Sequence, residues 1–82
     1  MRVYIVCKLD EMTGYIIGLD PYDSVDRAIN RAKVIIQDAA DYTNFKDEVR
    51  MSDFEEDAKL YLHSGLNYED EYGFVRILVK DM

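Results

Sequence analysis

The chain has 82 residues, a formal net charge of −7 and 49% hydrophobic residues, with one proline and one cysteine. That length supports one domain with a modest core, and the composition is that of a globular chain rather than a disordered one. A lone Cys7 excludes an internal disulfide. The negative charge disfavours direct binding to nucleic acid or to an anionic membrane.

Residues 1–82 are therefore read as a single domain. Apolar runs as short as Val34-Ile35-Ile36 do not make a membrane span, and Met1–Val6 lacks the apolar stretch of a signal peptide. With one cysteine, a reducing cytoplasm is the expected location.

In chain order, Arg2-Val-Tyr-Ile-Val-Cys-Lys8 is β-branched and aromatic and predicts a strand. Asp10-Glu11-Met12-Thr13-Gly14 supplies turn chemistry, and Tyr15–Leu19 resumes the strand pattern to complete a hairpin. Asp20-Pro21-Tyr22-Asp23 is expected to close it, because proline cannot serve a sheet interior. Asp23 or Ser24 then caps a first helix. Its apolar residues Val25, Ala28, Ile29, Ala32, Ile35, Ile36 and Ala39 follow the helical period of about 3.6 without a miss. Residues 41–44 should end it.

Residues 45–51 are ambiguous, with Phe45 and Val49 spaced for one further turn. Ser52-Asp53-Phe54-Glu55 fits a capping box for a second helix. That helix should bury Phe54, Ala58, Tyr61 and Leu62 and stop at His63-Ser64-Gly65. Residues 66–71 read as an acidic loop, and 72–80 as a third strand.

The order ββααβ predicts an α+β domain: a three-stranded antiparallel sheet, order 2-1-3, with both helices on one face. Val3, Ile5 and Cys7 are expected to face the helices together with Val75, Ile77 and Val79. Tyr4, Val6, Phe74 and Leu78 would then form an open apolar face, a candidate homodimer interface.

Charge is unevenly distributed. Residues 1–37 carry five acids and five bases, whereas residues 38–82 carry twelve acids and five bases. The acids gather in Asp53-Phe54-Glu55-Glu56-Asp57 and Tyr68-Glu69-Asp70-Glu71-Tyr72. Such a surface repels nucleic acid and attracts the basic sites of proteins that bind it. The candidate partner-binding residues are Asp53, Glu55, Glu56, Glu69, Asp70 and Glu71, with Tyr68 and Tyr72 as anchors; Asp41, Asp47 and Glu48 are placed to extend the surface. A solvated surface with no binding role is the alternative for these acids.

Other chemistries find little support. The acids lack the EF-hand pattern, and His63 with Cys7 cannot make a zinc set. Neither residue has a triad-like partner in the sequence, and the four glycines form no phosphate loop. No cofactor, metal or catalytic group is expected. The bases Arg27, Arg31 and Lys33 on the first helix are flanked by acids, which weighs against RNA binding.

Val3-Tyr4-Ile5-Val6, the turn, Ile16-Ile17-Gly18-Leu19 and a helix with Ser24 and Ala28 resemble the opening of small phage and mobile-element proteins. The acidic, tyrosine-bearing second half resembles phage-encoded DNA mimics, including anti-CRISPR and other anti-defence inhibitors. The resemblance implies a class of partner, the basic surface of a nucleic-acid-binding protein, and carries over no site residues. A homodimer built through the open sheet face is the competing expectation.

Overall fold

A computed structural model describes residues 1–10, 12–43 and 50–82. Glu11, Phe45, Val49, Asp47 and Glu48 lie outside those residues. The elements run β1 (Arg2–Leu9), β2 (Ile16–Tyr22), α1 (Val25–Thr43), α2 (Met51–His63), β3 (Tyr68–Glu69) and β4 (Val75–Asp81). They form an antiparallel sheet of four strands, order β2-β1-β4-β3, rather than the three expected.

The additional strand, β3, falls where the sequence reads as loop. Tyr68 pairs with Ile77 and Glu69 with Arg76 along the outer edge of β4. The Asn67 side chain extends this edge by accepting the Val79 amide at 2.7 Å. Two residues are too few for a strand periodicity to show in sequence, and an aromatic column holds them in place. The Tyr68 ring lies 5.7 Å from Phe54 and 5.2 Å from Tyr61, both on α2.

The hairpin turn is organised by Asp10, whose Oδ1 accepts the amides of Met12 (2.8 Å) and Thr13 (3.2 Å). Gly14 takes a positive φ of 73° there, which favours glycine. β2 runs on through Asp20, Pro21 and Tyr22, so Pro21 lies within a strand and not in the closing turn. This is permitted because β2 is an edge strand, where a missing N–H need not break a ladder.

Register corrects the expected faces. Tyr4 pairs with Val79 and Val6 with Ile77, so these four side chains share the face beneath the helices. Tyr4, Val6 and Phe74 are accordingly buried at 7%, 0% and 3% exposure and belong to one core with residues of both helices. They are not an open interface. Phe74 precedes β4 and turns inward, its backbone oxygen taking the Leu9 amide at 3.0 Å. The helix-free face carries Val3, Ile5, Cys7, Leu19 and Leu78, so of the expected open face Leu78 alone keeps its place, while Val75, Ile77 and Val79 face the helices as expected. The reason is plain in the sequence: positions 3–7 are apolar on both parities, and only pairing with β4 selects a side.

α1 follows its pattern. Val25, Ala28, Ile29, Ala32, Ile35, Ile36 and Ala40 are buried, with Ala39 half-buried beside them. The Ser24 hydroxyl accepts the Arg27 amide at 3.1 Å, the cap that starts the helix. α2 begins earlier than the capping box requires. Met51, half-buried against the core, is its first residue, and the flanking Arg50 makes no side-chain cap. Ser52 therefore lies inside the first turn. Phe54, Ala58 and Leu62 are buried as expected, while Tyr61 is 44% exposed. The helix ends in a Schellman arrangement: the amides of Gly65 and Leu66 reach the oxygens of Leu62 (3.0 Å) and Tyr61 (2.9 Å), with Gly65 at φ 79°.

Candidate functional site

The two acidic clusters meet. The early turns of α2 and the turn after β3 border a cleft of about 290 Å³. From α2 come Asp53, Glu56 and Asp57, which stand at i, i+3 and i+4 and so share one helix face. From the turn come Asp70, Glu71 and Tyr72, with Tyr68 and Phe54 as aromatic walls. Arg50 stands at the α2 end, and Ile36 of α1 closes the floor.

Of the eight expected partner-binding residues, Asp53, Glu56, Tyr68, Asp70, Glu71 and Tyr72 line this cleft. Glu55 does not. It points to the neighbouring helix and pairs with Lys33 of α1 and with Lys59, the latter at 3.2 Å. Those two partners, Lys33 first, hold its carboxyl below the usual glutamate range. Glu69 is also engaged elsewhere, its Oε1 lying 3.4 Å from Arg76 across the β3–β4 pair. Both act as inter-element ties.

Asp70 has a different task. It is 6% exposed, and its oxygens accept the amides of Val75 (2.8 Å) and Tyr72 (3.1 Å). Burial pushes its carboxyl up, against the pull of the Val75, Tyr72 and Phe74 amides. It shapes the turn rather than presenting charge to a partner. Tyr68 is also partly structural: it wedges α2 against β3, and burial, then the charges of Asp57, Asp70 and Glu71, raise its phenol. Tyr72 is half-buried and stacks on Phe74 at 5.9 Å.

Asp57, Arg50 and Ile36 are cleft residues that the sequence reading passed over. Asp57 was legible, being one helical turn beyond Asp53. Arg50 and Ile36 come from outside the acidic runs, and only packing brings them here.

Asp53, Glu56, Asp57 and Glu71 are exposed and make no ion pair or side-chain hydrogen bond among the described residues. Several acids elsewhere are matched, Asp20 with Arg31 at 3.0 Å, Asp23 with Arg27 at 3.5 Å and Asp81 with Arg2 at 3.0 Å, while Asp26 and Asp38 of α1 are exposed without an ion pair among the described residues. The bases on α1 are thus internally neutralised. Four solvated carboxylates against one guanidinium, beside aromatic rings, attract cationic groups and offer them flat contact surface.

Other reactive side chains are placed for structure. The Cys7 thiol is buried, donates to the Ile5 oxygen at 3.7 Å, and has its pKa raised by burial, which disfavours the thiolate. His63 is exposed in the last turn of α2. Among the described residues no group of three or more His, Cys, Asp or Glu could hold a metal ion, and no helix is long and apolar enough to cross a membrane. Compared with protein-family models, with curated proteins and with solved structures, the chain matches none of them.

Proposed function

We propose that this chain is a small acidic, non-catalytic binding protein that occupies the basic site of a nucleic-acid-binding protein and inhibits it. That is the mode of action of phage-encoded DNA mimics, some anti-CRISPR inhibitors among them. One observation carries the reading. Asp53, Glu56 and Asp57 on a helix and Glu71 on a turn converge on one cleft with their charges unpaired among the described residues, while Asp20, Asp23, Glu55, Glu69 and Asp81 outside it are tied to bases. Rigid supports matter here, because carboxylates that replace phosphates must be held at fixed spacing against the partner's bases. The field of such a surface speeds encounter with a basic partner, and Tyr72 supplies contact area once docked.

The test is capture of proteins from a bacterial lysate at low and moderate salt. The natural chain is compared with a variant carrying Asp53→Asn, Glu56→Gln, Asp57→Asn and Glu71→Gln, changes confined to exposed positions. A nucleic-acid-binding protein retained only by the natural chain, and displaced by duplex DNA, is the expected result. Equal retention by both forms rejects the reading.

A second reading is a homodimer through the helix-free sheet face, favoured by Leu19, which is 60% exposed there beside Val3, Ile5 and Leu78. It requires a dimer in solution that Leu19→Lys with Leu78→Lys dissolves. A monomer by light scattering removes it.

A further inference from the structure

The turn that brings Glu71 and Tyr72 to the cleft is built around one carboxylate. Asp70 is the sole charged side chain buried among the described residues. Its two oxygens do different work. Oδ1 accepts the Val75 amide at 2.8 Å in the interior, and Oδ2 accepts the Tyr72 amide at 3.1 Å in a partly buried position. Backbone bonds complete the turn: the Asp70 amide donates to the Val75 oxygen and the Gly73 amide to the Asp70 oxygen, each at 3.2 Å. Gly73 takes φ 77° within it.

An ionised carboxylate satisfies both amides because both its oxygens only accept. A carboxylic acid satisfies them less well, since the protonated oxygen loses its charge and is a weaker acceptor, and its own hydrogen needs a partner. We propose that Asp70 is a proton-operated latch for the acidic cleft: a proton added at Oδ2 weakens its hold on the Tyr72 amide and loosens the turn that carries Glu71, while Oδ1 keeps the Val75 amide. Oδ2 is the oxygen that takes the proton because its bond is the longer and the less buried of the two.

Burial and neighbouring negative charge favour this proton. Glu69 and Glu71 flank Asp70 in the chain, and Asp53, Glu56 and Asp57 border the cleft from α2. Tyr68 of β3 and Tyr72 contribute phenols and α1 contributes Ile36, while the Val75, Tyr72 and Phe74 amides, and Arg50 across the cleft, oppose protonation. Burial, the largest influence, places the titration above the ordinary aspartate range. If the cleft is the binding site read above, a docked basic group holds Asp70 ionised, and by reciprocity acid weakens the partner's grip. The latch itself stands without that reading.

The experiment is a pH titration of the natural chain, following backbone amides by NMR and hydrogen exchange with no partner present. The Tyr72 amide should shift, and its exchange protection fall about tenfold or more beyond the intrinsic pH effect. The midpoint should lie above the ordinary aspartate range, with Val75 still protected. Asp70→Asn imitates the protonated state, with its amide oxygen toward Val75 and its NH₂ toward Tyr72. It should leave Tyr72 unprotected already at neutral pH, with no titration. Tyr72 and Val75 losing protection together, or Tyr72 unchanged until ordinary aspartates titrate, overturns the latch. The natural chain decides this by itself, so the result survives an asparagine variant that does not fold. Failure of lysate capture would leave it untouched.

Discussion

Two valines three positions apart on β1 test which side of the sheet faces the helices. Val6 is 0% exposed and packs in the core with Ile77, whereas Val3 lies half-buried on the helix-free face. Replacing either by alanine removes the same two methyl groups and incurs a similar loss of strand propensity, so their difference isolates burial. For Val6→Ala the transfer loss is about 1.6 kcal/mol at roughly 0.8 per buried methyl group. The cavity left in a close-packed core adds up to about 1 kcal/mol. Val6→Ala should therefore cost about 2–3 kcal/mol and Val3→Ala about 1 or less. Against a total stability of about 4–12 kcal/mol for a chain this size, the first is a large fraction. It corresponds to a fall of roughly 10–20 °C in Tm. Urea unfolding followed by circular dichroism measures both, with unchanged slopes showing that the unfolded state is not the cause. Equal costs, or a greater cost at Val3, would refute the register and with it the burial of Tyr4.

Two further outcomes follow from local geometry. Ser24→Ala removes the hydroxyl that caps α1 and should cost about 1 kcal/mol, while Ser52→Ala, inside the first turn of α2, should cost less than about 0.5; thermal unfolding separates them, and equal losses would restore the capping box. The pH dependence has opposite signs at two carboxyls. Glu55 is held low by Lys33 and Lys59, so its stabilising contribution is present above the unfolded glutamate range and disappears as pH falls through its lowered folded-state value. Asp70 is held high, so its contribution is greatest in acid and is lost as pH rises through its raised value. Urea midpoints from neutral down to about pH 3 should accordingly show a shallower acid decline for Glu55→Gln than for the natural chain.

The sheet has a further consequence for the site. β2 and β3 are its opposite edges, and the cleft belongs to the β3 side. The Arg31–Asp20 pair of α1 and β2 therefore lies at the other edge of the sheet from the unpaired carboxylates of the cleft.

What the sequence determined by itself is what depends on near neighbours. α1 is written in seven apolar positions at helical spacing and a serine cap, because a helix bonds each residue to one about four away. The hairpin turn at Asp10–Gly14 and the stop at Gly65 are legible for the same reason, each needing only a local acceptor or a positive φ. Tertiary structure decided the rest. A strand that is apolar on both parities takes its inward face from register with a strand some seventy residues away, so Tyr4, Val6 and Phe74 moved from surface to core. β3 exists because Tyr68 finds Phe54 and Tyr61, and α2 starts early because Met51 reaches the core. Within the acidic runs, charge alone could not sort the residues. Packing turned Glu55 and Glu69 to lysine and arginine partners, buried Asp70 under its own turn, and left Asp53, Glu56, Asp57 and Glu71 facing one cleft, since which carboxylates stay unpaired depends on what the fold brings within reach of each.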